Sequence, residues 1–247
     1  MLVSIITATF NRENTLSRAL TSINNQTYKN IQKVIIDGAS TDKTKDIVKP
    51  YLNHNDIFLT EPDEGIYDAL NKGISLSKGE IIGFLHSDDI YNGNDILRTV
   101  MNIFLKQDID IVYGDLSYFK KFNPEKVVRT YRSVLLSKKN LAWGKMPAHP
   151  TIFIKKKIYK KIGLFNTDYR IAGDYEFLCR LVNNYNFKAI HIPKIFINMQ
   201  LGGASTKGIK NTYILNKETY RAILSNGIYT NIFMLLSKYF FKIREFY

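Results

Sequence analysis

DIFLTEPDEGIYDALNKGISLSKGEIIGFLHSDD, residues 56–89, reads as strand, helix, strand. Residues 56–60 are a short apolar run closed by Glu61-Pro62. Residues 66–77 place Ile66, Ala69, Leu70 and Ile74 on one helical face. Residues 80–85 are a second apolar run of strand length, and they lead into Ser87-Asp88-Asp89.

The alternation extends in both directions. Residues 2–7 read as a buried β-branched strand, and residues 13–24 as a helix with Leu16, Ala19, Leu20 and Ile23 on one face. Residues 33–36 are a strand ending at Asp37-Gly38, and Ser40 or Asp42 caps a helix that runs to about Tyr51. A helix over 94–106 and a strand over 109–113 follow. Strands and helices at this spacing form a parallel sheet covered on both faces, an α/β fold. Such sheets gather ligands beyond the carboxyl ends of their strands. The polar clusters 7–12, 37–42, 61–65 and 86–89 all fall there. The second half is less regular. It reads as a hairpin (114–119 with 127–132), a basic loop with Trp143 and His149, a strand over 151–154, a helical turn over 156–162, a helix over 174–183, a strand over 189–192, and two C-terminal helical patterns.

The 247 residues carry 35 Lys/Arg against 22 Asp/Glu, a net +13, and 45% are hydrophobic. That apolar content excludes a disordered chain. The single cysteine, Cys179, excludes a disulfide framework or cysteine zinc cluster and fits a reducing compartment. The opening MLVSIITATF lacks the basic flank of a signal peptide, and no 18-residue apolar stretch occurs. Positive charge concentrates late: residues 117–161 hold thirteen Lys/Arg against Glu125 alone, and residues 207–247 seven against two acids. Such a surface suits nucleic acid, a phosphorylated substrate or an acidic membrane.

Ser87-Asp88-Asp89 sets two carboxylates side by side at a strand end. A divalent cation shared with a diphosphate would offset their repulsion; a helix cap with a neighbouring acid is the other reading. Asp37-Gly38-Ala39-Ser40-Thr41-Asp42 offers a carboxylate for the imide N–H of uracil, or an ordinary capped turn. Neither G-x-G-x-x-G nor G-x-x-x-x-G-K-[ST] occurs, which weighs against dehydrogenases and P-loop NTPases. Asp68 and Lys72 lie one helical turn apart, as a functional pair or a surface ion pair. Asp174 opens a later helix, as a general base for a hydroxyl or as an acid favoured by the helix dipole.

These motifs also occur in a telling order. Asn11, Asp37-Gly38-x-Ser40-x-Asp42, Glu61-x-Asp63-x-Gly65-Ile66-Tyr67-Asp68-Ala69-x-Asn71-Lys72-Gly73, Gly79-Glu80, Phe84-Leu85-x-Ser87-Asp88-Asp89 and Gly173-Asp174-Tyr175-Glu176 follow one another over about residues 1–205. Together they resemble the family 2 inverting glycosyltransferases with a GT-A fold, in particular bacterial enzymes that build O-antigen, capsule or colanic-acid-type polysaccharides. The resemblance implies a mostly parallel central sheet flanked by helices. It implies a nucleotide-sugar half over 1–116, an acceptor half over 117–205 and a C-terminal helical tail over 206–247. Thr7, Thr9, Asn11, Asp37, Ser40, Asp63, Lys72 and Asp88 would bind the nucleotide sugar, and Asp89 would bind Mn²⁺ or Mg²⁺. Asp174 would be the general base, although Gly173 stands where the family usually has a Glu beside it. Trp143, His149, Glu176 and Gly203 would lie on the acceptor side.

The activity so implied is metal-dependent transfer of a hexose or N-acetylhexosamine from a UDP-sugar to a hydroxyl of a polyprenyl-diphosphate-linked saccharide. Single displacement would leave a β-glycoside. The segment 229–247 mixes apolar and basic residues, as a helix on an anionic bilayer does; packing into the core or against a second copy of the chain is the alternative. The expected location is the cytoplasmic face of the membrane. A basic nucleic-acid-binding protein is the competing class. It leaves the acidic strand ends unexplained, so nucleic acid is not expected as a partner. A non-catalytic sugar-nucleotide-binding protein is a third reading.

Overall fold

The structure is a computed structural model that describes residues 1–120, 123–202 and 208–242. Four strands set its frame: β1 (Val3–Thr9), β2 (Ile31–Asp37), β3 (Ile57–Thr60) and β4 (Ile81–Phe84). They lie side by side in the order β3-β2-β1-β4, all parallel. Their β-branched sequences follow from burial on both faces: every residue of β4, and all but Ile31 in β2, is buried. β8 (Phe153–Lys155) then joins antiparallel to β4, and β6 (Ile111–Lys120) antiparallel to β8. β9 (Ala189–Gln200) runs parallel to β6, while β5 (Ile90–Tyr91) and β7 (Asn123–Tyr131) complete a nine-stranded mixed sheet.

Helices cover both faces. On one, α1 (Leu16–Asn24), α2 (Thr44–Val48) and α4 (Ile96–Lys106) bury Leu16, Leu20, Val48, Leu97 and Met101 against Ile5, Ile35 and Leu85. On the other, α3 (Ile66–Leu76), α5 (Lys138–Ala142), α6 (Lys156–Ile162), α7 (Gly173–Asn184), α8 (Gly208–Ser225) and α9 (Ile232–Lys242) cover Ile6, Ile36 and Phe84. Ala222, Ile223, Ile228 and Leu235 belong to that same core. The C-terminal helices therefore pack on the sheet domain, the alternative left open for this segment.

The expected elements appear with shifted ends. The helix expected to reach Tyr51 stops at Val48 and continues as a 3₁₀ turn, where Pro50 has no N–H to give. The strand expected over 109–113 and the first arm of the hairpin are one strand, β6, whose pairing with β9 shifts register between Tyr113 and Asp115. At that shift a Cβ on Gly114 would lie 2.5 Å from the Phe196 ring, so only glycine lets β9 pass this close. β9 extends eight residues past the expected end at Ile192, through Pro193-Lys194. Gly203, expected on the acceptor side, lies outside the described residues.

Candidate active site

The parallel strands deliver their carboxyl ends to one rim. Two loops there are laced together, because each supplies the hydrogen-bond partners that the other lacks. After β1, the Asn11 N–H donates to Ser40 Oγ at 2.8 Å and the Arg12 N–H to Thr44 Oγ1 at 2.8 Å. In return the Thr41 N–H donates to Asn11 Oδ1 at 2.9 Å, and the Lys43 N–H to Glu13 Oε2 at 3.1 Å. Asn11 (φ +50°) and Ala39 (φ +60°) turn the two loops in the left-handed region, which asparagine tolerates and alanine does not favour. Asp37 is fully buried: its carboxylate accepts from the Ser40 hydroxyl, from the Ser40 N–H at 3.0 Å and from Thr60 Oγ1 at 2.6 Å. The close approach at Gly38 is taken by Asp63, whose Oδ2 lies 2.5 Å from where a Cβ would stand. In this state Asp37 and Ser40 shape the turn, and Asp63, with Asn11, is at its surface. Thr7 and Thr9 lie beneath the rim with buried hydroxyl oxygens that have no hydrogen-bond partner among the described residues.

At the end of β4 the chain turns through His86 to Asp89, with the Asp89 N–H donating to His86 O at 3.0 Å. Asp88 is half-buried, whereas Asp89 is enclosed. Asp89 Oδ1 accepts from the Gln200 N–H at 3.3 Å, and Oδ2 is buried without a partner among the described residues. Burial, reinforced by the Asp88 charge, pushes the Asp89 carboxyl well above the usual range, against the pull of Gln200 and Arg18. Arg18 from α1 donates to Asp88 O at 3.2 Å and to Gln200 Oε1 at 3.2 Å, tying α1, the β4 turn and β9 together. His149 stacks on Phe84 at 5.1 Å and meets Phe165 edge-on at 5.6 Å. Burial takes its pKa down to about 3, so it is a neutral ring in the core and brings no positive charge to a phosphate. Trp143 ends α5 and keeps 39% of its surface exposed.

Lys72 bridges Glu61 at 2.9 Å and Asp68 at 3.0 Å and donates to Pro62 O at 3.1 Å. Those carboxylates raise its pKa, and a diphosphate would have to compete with them for the ammonium. Glu176, expected on the acceptor side, is buried and clamped by Arg180, which donates Nε to Oε1 at 3.0 Å and Nη2 to Oε2 at 2.9 Å. Its geometry is that of a packing ion pair within α7.

Asp174 opens α7 and remains half-buried. Its Oδ1 accepts from the Tyr175 N–H at 2.8 Å and faces the Tyr67 hydroxyl at 3.2 Å. That hydroxyl has one proton and also lies 2.6 Å from Ile171 O, so Tyr67 ties the first turn of α3, at the rim beyond β3, to the start of α7. Gly173 makes this possible: a Cβ there would meet the Tyr67 ring at 2.8 Å. The glycine that departs from the family pattern thus admits a tyrosine that orients the aspartate. Burial raises the Asp174 carboxyl to about 6, the hydrogen bonds from Tyr175 and Tyr67 lower it, and the Glu218 charge raises it. A carboxyl with that pKa is ionised at neutral pH yet basic enough to take a hydroxyl proton. Sequence reasoning overlooked Arg18, Gln200, Glu218 and the orienting role of Tyr67.

Among the described residues no three His, Cys, Asp or Glu side chains converge to hold a metal by themselves. Asp89 Oδ2 would fit a narrower role, as one oxygen ligand to a hard cation that a bound diphosphate would also hold.

A sheet of this topology, with acidic turns at its carboxyl rim, defines the α/β GT-A-like glycosyltransferases. Residues 4–166 match the profile described as Glycosyl transferase family 2, and the chain belongs to that family. A curated relative, the PGL/p-HBAD biosynthesis glycosyltransferase of Mycobacterium bovis, is 33% identical over 198 residues, covering 74% of this chain and 70% of the relative. The structure of S. aureus TarS 1-349 in complex with UDP-GlcNAc superposes with a TM-score of 0.70 at 20% identity, over 91% of this chain and 67% of that one. The mannosyltransferase PcManGT of Pyrobaculum calidifontis, in complex with GDP-Man and Mn²⁺, gives 0.62 at 18% identity over 99% and 80%. These likenesses establish the fold, and the activity of the chain is that of a glycosyltransferase. The family profile ends before α7.

Proposed function

We propose that the protein is an inverting glycosyltransferase that moves a hexose or N-acetylhexosamine from a UDP-sugar to a hydroxyl of a polyprenyl-diphosphate-linked saccharide, for a surface polysaccharide such as O-antigen or capsule. The observation that carries the reading is Asp174, held by Tyr67 at the site rim with its pKa raised to about 6. Asp174 takes the proton of the acceptor hydroxyl as the new C1–O bond forms and the C1–O bond to the diphosphate breaks. Attack from the face opposite UDP turns an α-linked donor into a β-glycoside. Asn11, Asp63 and Asp88 are the exposed or half-buried groups at the rim that would meet the nucleotide sugar. A divalent cation held by Asp89 and the diphosphate would offset the charge that develops on the leaving UDP. The complexes of TarS with UDP-GlcNAc and of PcManGT with GDP-Man and Mn²⁺ support a nucleotide-diphosphate-sugar donor.

The acceptor reading rests on the C-terminal surface. Among the described residues no helix is long and apolar enough to cross a membrane. α9 nevertheless presents Ile232, Phe233 and Leu236 outward beside a basic sequence, which supports peripheral binding at an anionic cytoplasmic membrane face. The test is a panel of UDP- and GDP-sugars, with and without Mn²⁺, read by thermal protection and by transfer. UDP-selective protection, lost from turnover but not from binding in Asp174→Asn, is the expected result. Undiminished turnover in Asp174→Asn removes the base assignment.

A further inference from the structure

Glu218 lies on α8, a helix beyond the family profile, yet its carboxylate reaches the loop that carries Asp174. Glu218 Oε1 accepts the Arg170 N–H at 2.9 Å, and Oε2 accepts the Ile171 N–H at 2.8 Å and the Ala172 N–H at 2.9 Å. Those three donors immediately precede α7, whose N-cap, Ala172, has no capping side chain. The anion that a helix start favours is therefore supplied by another helix. Two further contacts grip the loop from α8: Arg221 donates to Asp168 O at 3.0 Å and stacks on the Tyr169 ring at 3.9 Å. The groups that face Asp174 are Tyr67 from α3, Tyr175 from its own turn and Glu218 from α8.

Resting on the reading of Asp174 as the base, we propose that Glu218 is the positioning residue of this site. It fixes residues 170–172, and with them the place of Asp174, and its negative charge makes the base stronger. The three backbone donors at the start of α7 hold this carboxylate in place, and from there its like charge reaches the base. That charge raises the proton affinity of Asp174.

The test uses the full chain with Glu218→Gln, which keeps size and removes charge, and compares it with Glu218→Asp and Asp174→Asn. In Glu218→Gln, kcat falls by up to about a hundredfold, as displacement of a reacting group does, and the acid limb of the pH–rate profile moves to lower pH. UDP binding by calorimetry stays at the wild-type level. Glu218→Asp restores the limb in part. A wild-type profile and kcat in Glu218→Gln overturn the inference while leaving Asp174 in place. Loss of UDP binding together with activity also overturns it, because the residue then holds the fold and does not position the base. Should Asp174→Asn retain turnover, the base reading fails, and the role of Glu218 fails with it.

Discussion

Tyr67 shows how a residue with no chemistry of its own decides the behaviour of one that has it. Its hydroxyl donates to the ionised form of Asp174, which stabilises the carboxylate and lowers its pKa. Tyr67→Phe keeps the ring packed on Gly173 but removes that donor. The carboxyl then moves above about 6, and the acid limb of the pH–rate profile shifts to higher pH, opposite in sign to Glu218→Gln. An unmoved limb would mean that the Tyr67 hydroxyl donates to Ile171 O alone. The same raised pKa predicts a stability effect. The native state binds the Asp174 proton more tightly than the unfolded chain does, so the contribution of this group to stability falls as pH rises from about 4 to about 6. Asp174→Asn removes that contribution, so the difference between wild type and variant in a series of urea melts changes over this range.

Elements differ in how they are held, and that also governs what could be read from sequence. β2 and β3 are joined beneath the rim by a buried pair: Lys33 Nζ lies 3.0 Å from Asp56 Oδ2, with side-chain exposures of 4% and 1%. Lys33 Nζ also donates to Asn24 Oδ1 at 2.8 Å, and Asp56 Oδ1 accepts the Lys33 N–H at 2.7 Å. Breaking such a pair strands a charge, so Asp56→Ala costs about 3–5 kcal/mol, whereas Lys33→Met with Asp56→Asn, which removes both charges and keeps an acceptor for the Lys33 N–H, costs less. Chemical denaturation of the three proteins checks this; equal losses in the single and double variants refute it. β1, β2 and β4 were legible because burial on both faces leaves nearly unbroken apolar runs. α3 and α4 were legible because one face alone is buried. β9 was only partly so: its first residues are exposed or half-buried, and Pro193 interrupts the pattern. β5, with two residues, and α5, with five, are too short to show a repeating pattern. The candidate base and the acidic turns were visible as local motifs. The partners of Asp174 were not, since Tyr67 stands 107 residues away and Glu218 acts through backbone groups of a different element.

For the whole molecule, the C-terminal helices cannot be separated from the sheet domain. α8 and α9 are integral to the core through Ala222, Ile223 and Leu235, and Thr230 Oγ1 donates to Ala142 O at 2.6 Å. Removing them would open the hydrophobic face that covers α7, so truncation is a poor probe of membrane binding. Point changes on the outer face are a clean one. Phe233 is 83% exposed and Ile232 61%, whereas Leu235 on the inner face is 3% exposed. An aromatic side chain leaving water for a bilayer gains roughly 1.5–3 kcal/mol, so Phe233→Glu lowers partition onto vesicles containing anionic lipid by at least about tenfold. Its melting temperature and its turnover on a short water-soluble acceptor stay unchanged, because no core contact is lost. Raised salt weakens wild-type binding as the lysine contribution is screened. Equal sedimentation of wild type and Phe233→Glu, with a shift from dimer to monomer in the variant, would instead assign this face to a second copy of the chain.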